Sequence, residues 1–117
     1  GKPDDYNVEN ISFAVRMAAE LGADVIKTAF PHDADINDFK KIIDSSFVPV
    51  VVLGGAAMGD DEALVKMVKM AMDSGASGIA VGRNVFQHEN PALVAKSLHA
   101  IVHEDANVDQ ALKILNH

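Results

Sequence analysis

Hydrophobic positions along the chain follow two alternating patterns. Longer stretches carry apolar side chains three or four positions apart, which is the spacing of one face of a helix. Between these stretches lie short, continuous apolar runs, which are typical of strands that are covered on both faces. The runs are "ADVIKT", "VPVVVLGG" and "GIAVG", and they predict three strands. The predicted order is helix, strand, helix, strand, helix, strand, and then further helices.

Capping residues indicate where the predicted helices begin and end. Gly22 follows the first helical stretch, and glycine commonly closes a helix. An aspartate precedes the second stretch, in "DINDFKKIIDSS", as a candidate N-cap. Asn90 is the predicted N-cap of a later helix, with Pro91 at its first position. Asn107, with Gln110 three positions on, predicts a capping box at the start of the last helix.

Continuous apolar strands separated by helices predict a parallel sheet with right-handed crossovers. Three parallel strands alone leave two exposed sheet edges, and a closed (β/α)8 barrel needs about 250 residues. We therefore expect residues 1–117 to form a single α/β domain of parallel βα units. These units would be the C-terminal part, about strands 6–8, of a TIM (β/α)8 barrel, with a small open sheet as the alternative.

Composition narrows the classes of function. The chain has no cysteine, which excludes a disulfide framework and a thiolate nucleophile. Its formal net charge of −7 disfavours broad nucleic-acid binding, and we expect no membrane partner and a cytoplasmic location. His99 and His103 lie four positions apart on a predicted helix, but no third ligand accompanies them. We therefore expect no metal site.

The three predicted strands are each followed by residues suited to chemistry at the carboxyl edge of the sheet. Lys27 ends the first strand, Gly54 and Gly55 follow the second, and Gly82 and Arg83 follow the third. Glycine lets the backbone approach an anion closely, and an arginine can pair with phosphate oxygens in a bidentate manner. A tight strand-to-helix turn is the simpler explanation for one glycine. Two consecutive endings and an arginine together predict a phosphate site.

Lys27 admits two interpretations. Its stem could lie along apolar surface with the ammonium in water. Alternatively, an amine beside an anchored phosphate could condense with the carbonyl of a phosphorylated sugar. The protonated imine would act as an electron sink for cleavage of a carbon–carbon bond. This chemistry needs no cofactor beyond the covalent imine through Lys27.

Four segments together resemble the C-terminal part of the archaeal-type class I fructose-1,6-bisphosphate aldolases. They are "GADVIKT", "VPVVVLGG", "GASGIAVGRNVFQHENP" and "IVHEDANVDQAL". That family belongs to the Lys-aldolase barrel group, as do the deoxyribose-phosphate aldolases. The resemblance implies that Lys27 forms the Schiff base and that Gly54-Gly55 and Gly82-Arg83 hold a substrate phosphate. It also implies cleavage of fructose 1,6-bisphosphate to dihydroxyacetone phosphate and glyceraldehyde 3-phosphate, in a homo-oligomer.

The resemblance has consequences for the isolated chain. The family's catalytic aspartate and tyrosine lie on earlier strands, so we expect these 117 residues to be poorly active alone. His32 and Asp33, after the lysine strand, could assist proton transfer or only line the loop. The alternatives are a related lysine-dependent transaldolase-like synthase, a thiolase, a phosphate-binding barrel in which Lys27 is only electrostatic, and a non-catalytic fragment.

Overall fold

A computed structural model describes residues 7–31, 35–54 and 59–116. Within these ranges, helices and short strands alternate as the hydrophobic pattern predicts. The helices are α1 (Val8–Glu20), α2 (Ile36–Ser45), α3 (Asp61–Asp73), α4 (Arg83–Phe86), α5 (Pro91–Glu104) and α6 (Val108–Leu115). The strands are β1 (Ile26–Ala29), β2 (Val50–Leu53) and β3 (Gly78–Ala80).

The three strands form one parallel sheet in the order β1-β2-β3. Sequential neighbours pair because each helix returns the chain to the same end of the sheet. The register places Lys27 opposite Val51, and Val51 opposite Gly78. All three strands therefore end at the same edge, and the expected α/β architecture is confirmed.

The two faces of the sheet have different surroundings. Ile26 and Thr28 on β1, and Val50 and Val52 on β2, are buried against the helices. The intervening residues lie on the opposite face, where Lys27 is exposed and its neighbours on β2 and β3 are partly exposed. Side chains alternate between the faces of a strand, so one face is covered by helices and the other is not.

Local hydrogen bonds confirm most of the predicted helix ends. Asp35 and Asp38 form a reciprocal capping box at the start of α2, with the Asp38 N–H donating to Asp35 Oδ1 over 2.9 Å. Asn107 and Gln110 form the predicted box at the start of α6. Asn90 occupies the N-cap position of α5 as predicted, but its side chain makes no capping hydrogen bond.

The core consists of two hydrophobic clusters. The first lies between the sheet and α1 and α2, and the side chain of Phe39 is completely buried in it. The second joins α3, α5 and α6 around Val65 and Val94, which are also fully buried. Met67 and Met72 on α3 pack against both clusters. Helix α3 is therefore the element that the two clusters share.

Several large apolar side chains remain on the surface. Phe13 and Leu21 on the α1 side, Phe47 before β2 and Phe86 at the end of α4 are all exposed. Scattered single apolar residues are normal on a protein surface, whereas groups of them are typical of interfaces. None of the described helices is long and apolar enough to cross a lipid bilayer.

Candidate active site

Lys27 is the second residue of β1, and the strand continues for two residues beyond it to Ala29. The prediction that Lys27 ends the strand is therefore wrong, because the strand ends two residues later. Its side chain lies on the face that no described helix covers, and it is exposed. It forms no ion pair or side-chain hydrogen bond within the part of the chain that the structure describes. The amine is thus free to meet a substrate approaching this face.

Neighbouring positions leave space around the lysine. In the row across the sheet, Lys27 is followed by Val51 on β2 and by Gly78 on β3. The side chains on this face therefore become smaller from β1 to β3, and Gly78 contributes none. A ligand lying over the row would contact the amine at one end and backbone at the other.

Gly54 has a packing role that the sequence does not reveal. A Cβ atom at this position would lie 2.5 Å from Val81 Cγ1, closer than any non-bonded carbon pair permits. The Gly54 N–H donates to the carbonyl oxygen of Ala80 over 3.0 Å, which joins the loop after β2 to β3. This N–H therefore already has an acceptor, and the phosphate-binding role of the backbone around Gly54 and Gly55 stays a prediction.

Asn84 belongs to this edge of the sheet, although it is not among the predicted site residues. It is only 6% exposed, and its side-chain amide donates to the Gly54 carbonyl oxygen over 3.4 Å. Its place beside Gly82 and Arg83 in "GRNVF" is a weak signal, because asparagine is common in turns. The contact is visible only once β2 and β3 are paired.

Gly82 and Arg83 open the short helix α4. The Gly82 carbonyl oxygen accepts the N–H groups of Val85 and Phe86, each over 2.9 Å. The N–H groups of Gly82 and Arg83 donate to no acceptor among the described residues, and the Arg83 side chain is exposed. Two backbone donors that have no acceptor among the described residues, together with a guanidinium at one strand end, are a suitable arrangement for a phosphate.

The structure places Gly54, Gly82 and Arg83 at the carboxyl edge of the sheet and Lys27 within its first strand. Gly54 lies three residues beyond Val51, the partner of Lys27, which corresponds to about 10 Å along the strand. Gly82 follows the neighbouring strand at the same edge. Gly55, predicted as a phosphate-binding residue, and the loop residues His32 and Asp33 lie outside the described residues.

His99 and His103 stack on each other on α5, with ring centroids 4.6 Å apart. In the described ranges, no three histidine, cysteine, aspartate or glutamate side chains are grouped so that they could hold a metal ion. The two histidines line an apolar groove together with Val85 and Leu98.

The sequence shows to which class of enzyme this arrangement belongs. Residues 2–88 match the model of the DeoC/LacD family of aldolases. The chain belongs to the DeoC/LacD aldolase family. The resemblance to Lys-aldolases drawn from the strand-end motifs is thereby confirmed.

Two similar proteins come from Halobacterium salinarum. The chain is 42% identical over 112 residues to the fructose-bisphosphate aldolase class 1 of this organism, covering 96% of this chain and 42% of that protein. It is 41% identical over 109 residues to 2-amino-3,7-dideoxy-D-threo-hept-6-ulosonate synthase, covering 93% of this chain and 40% of that protein. The chain spans about two fifths of the length of these relatives.

A solved structure shows the same fold. An archaeal fructose-1,6-bisphosphate aldolase, with its catalytic lysine covalently bound to the carbinolamine intermediate of the substrate, matches with a TM-score of 0.77 and 34% identity. The match covers 83% of this chain and 38% of that one. It confirms that the parallel βα units are those of a TIM-barrel aldolase.

Proposed function

We propose that this chain carries the imine-forming lysine and the phosphate-binding strand end of a Schiff-base aldolase. The substrate is a phosphorylated ketose, and fructose 1,6-bisphosphate is our first choice. The products would be dihydroxyacetone phosphate and glyceraldehyde 3-phosphate. The observation that carries this proposal is the position of Lys27, whose amine has no partner among the described residues and lies on the uncovered face of the sheet whose third strand leads to Gly82 and Arg83.

The proposed reaction begins with addition of Lys27 Nζ to the C2 carbonyl carbon of the ketose. Loss of water from the carbinolamine gives a protonated imine. The C3–C4 bond then breaks, and its electron pair moves into the imine to form an enamine. The C4 hydroxyl proton leaves to a base, which releases the aldehyde. Protonation of the enamine at C3 and hydrolysis of the imine release dihydroxyacetone phosphate and restore the amine.

Substrate phosphate would bind at the Gly82-Arg83 end. The free N–H groups of both residues and the guanidinium can donate hydrogen bonds to phosphate oxygens. Anchoring the phosphate holds the carbonyl carbon near the amine, and such positioning is a large part of catalysis. Gly54 supports this site by packing, because it lets the loop after β2 approach Val81 and Asn84.

A second candidate is a lysine-dependent synthase that forms a carbon–carbon bond on a phosphorylated sugar. The chain is as similar to the Halobacterium synthase as to the aldolase, with 41% and 42% identity. Both candidates use the same amine and a phosphorylated substrate. They differ in the second substrate and share the imine step. A test of the imine therefore applies to either candidate.

The proposal is tested by reduction with borohydride in the presence of dihydroxyacetone phosphate, followed by peptide mass mapping. We expect one adduct, on the peptide that contains Lys27, and its loss in Lys27→Ala. Trapping reports the imine step alone, so it does not depend on the groups that transfer protons. Non-phosphorylated dihydroxyacetone should label far less, because it lacks the anchoring group.

Lys40→Ala is the matched control, because Lys40 is exposed and lies on helix α2, not on a strand of the sheet. This variant should label as the unmodified chain does. Labelling spread evenly over Lys40 and other surface lysines would refute a special role for Lys27. Equal labelling by the phosphorylated and the non-phosphorylated ketone would refute the phosphate site.

We also infer that the protein self-associates with a second copy of the chain. Phe13, Met17 and Leu21 follow one another at intervals of four residues and are all exposed, so they form an apolar stripe, and β1 is an edge strand of the described sheet. Sedimentation velocity should show a species larger than one chain, and Phe13→Ser should shift it toward the monomer. A monomer at all concentrations would contradict this inference.

A further inference from the structure

His88 connects three helices near the candidate phosphate site. It lies two residues beyond the end of α4, and its Nε2 atom is 2.8 Å from Oδ1 of Asp61, the first residue of α3. Its Nδ1 atom accepts the backbone N–H of Asn90, the N-cap of α5, over 2.8 Å. The ring is partly shielded, with 21% of the His88 side chain exposed. This pair is not part of the proposed imine chemistry.

The two partners determine where the ring carries its proton. A backbone N–H can only donate, so Nδ1 of His88 must present a lone pair to Asn90. The proton of the neutral ring is then on Nε2 and is donated to the Asp61 carboxylate. Both nitrogens are therefore used, and the orientation of the ring is fixed.

The start of α5 is held differently from the starts of α2 and α6. The Asn90 side chain makes no capping hydrogen bond, although the residue occupies the N-cap position. Its backbone is instead held by the imidazole ring. The ring thus acts at the start of α5 as well as at the start of α3.

Helix α4 transmits the position of His88 to the phosphate-binding end. The His88 N–H donates to the Val85 carbonyl oxygen over 3.2 Å, and the Val85 N–H donates to Gly82 over 2.9 Å. Only one turn of helix separates the imidazole from the free N–H groups of Gly82 and Arg83. A shift of His88 relative to α3 would therefore move these donors.

Packing alone holds α4 weakly. The helix has four residues, Phe86 is exposed, and Val85 is its main apolar contact with the core. An isolated helix of this length is unstable in water. On the side of His88, a cavity of about 600 Å³ separates α4 from the ends of α3 and α6. Hydrogen bonds across this cavity are consequently needed to fix the helix.

We propose that His88 is a positioning residue for the phosphate site, acting through its hydrogen bonds to Asp61 and Asn90. The first bond fixes α4 against the start of α3, and the Asn84 bond to Gly54 fixes it at the strand end. Together they set the position of the Gly82 and Arg83 donors. This inference rests on the proposed function, because it assumes that phosphate binds there.

The experiment is a titration of the ¹⁵N-labelled chain with inorganic phosphate, followed by NMR at the amides of Gly82 and Arg83. His88→Ala and Asp61→Ala should each weaken phosphate binding by about 5- to 10-fold, the scale of one hydrogen bond. The double variant should lose no more phosphate affinity than the weaker-binding single variant, because both substitutions remove the same hydrogen bond. Glu62→Ala, next to Asp61 and paired only with Lys66 at the surface, should bind as the unmodified chain does.

Conservative variants separate positioning from a general loss of structure. His88→Gln can still donate to Asp61, and Asp61→Asn still offers an acceptor oxygen, so both should recover most of the affinity. The ¹⁵N shift of His88 Nδ1 should be that of a ring nitrogen that accepts a hydrogen bond. If His88→Ala does not fold, these two variants and the Nδ1 shift decide the question.

Two results would overturn the inference. One is unchanged phosphate affinity in a folded His88→Ala variant. The other is a loss of affinity in the double variant that equals the product of the two single losses. Absence of phosphate binding in the unmodified chain would also overturn it. Borohydride labelling of Lys27 is measured separately, so failure of the positioning role is distinguishable from failure of the proposed function.

Discussion

The side-chain amide of Asn84 donates to the carbonyl oxygen of Gly54, although 30 positions separate the two residues in the chain. The contact joins the loop after β2 to helix α4, and it spans the two strand ends that the sequence marks with glycine. The same approach places Val81 against Gly54 so closely that no side chain fits there. The architecture of this edge therefore depends on backbone proximity.

Asn84→Ala removes the donor to Gly54 from a buried position. We expect it to lower the free energy of unfolding by about 1–3 kcal/mol, since a buried polar group loses its partner. Urea denaturation followed by circular dichroism measures this change. Asn37→Ala, at an exposed position of α2, is the control and should change stability by less than about 0.5 kcal/mol. Equal effects of the two variants would show that the contact is unimportant.

Gly54→Ala and Gly82→Ala should behave differently. At Gly54 the new methyl group would collide with Val81, so we expect a loss of about 1–3 kcal/mol in unfolding free energy. At Gly82 a methyl group meets nothing within 4 Å and φ is −126°, so alanine should leave stability nearly unchanged. Paired denaturation curves measure both. A larger loss at Gly82 than at Gly54 would contradict the packing described for this edge.

Ser97→Ala should weaken the contact between the last two long helices. Ser97 is fully buried on α5, and its hydroxyl donates to the Ala111 carbonyl oxygen on α6 over 2.9 Å. We expect a decrease of about 0.5–1.5 kcal/mol in unfolding free energy. Ser45→Ala removes a hydroxyl bond within α2 at an exposed site and should have a smaller effect. The reverse order of the two effects would exclude a role for the Ser97 bond.

Asp105 provides a prediction about pH. A hydrogen bond from Lys69, 2.9 Å long, together with the charge of the ammonium, holds the pKa of Asp105 below its ordinary value of 3.8. A carboxyl whose pKa is lowered by folding stabilises the folded state while it is ionised. This contribution is present above the ordinary pKa and is lost as the pH falls through the lowered value.

Asp105→Asn should therefore lower the melting temperature at neutral pH, and the difference from the unmodified chain should disappear in strong acid. Asparagine suits the left-handed backbone of this residue, φ 53°, as well as aspartate does, so the variant isolates the charge. The difference should also shrink in high salt, because the pair is at the surface. Thermal unfolding across pH and salt measures it. A difference that persists unchanged in acid would refute the electrostatic explanation.

The helix starts could be predicted from the sequence because their signals are local. Asp35 and Asn107 cap their own helices through residues three positions away, so a short segment contains all the information. The alternation of apolar runs and helical stretches likewise predicted the parallel sheet, since parallel strands connected by helices are typically continuous apolar runs.

The candidate site could be predicted only in part. The sequence indicated Lys27 but misjudged where β1 ends, because strand boundaries depend on pairing with β2. The reason for Gly54 and the contact of His88 with Asp61 depend on residues more than 20 positions away, which come together only in the folded chain. The side chain of Asn90 fails to cap α5 although its type favours capping, while its backbone is held by His88.

The division of the core into two clusters has a consequence for motion. Since α1 and α2 share one cluster and α5 and α6 share the other, we expect each pair to open while the other stays intact. Among the described helices, α3 contributes to both clusters. Amide hydrogen exchange should therefore reveal two cooperative units with separate opening free energies. Helix α3, held from both sides through Met67 and Met72, should exchange most slowly and persist longest as the chain unfolds.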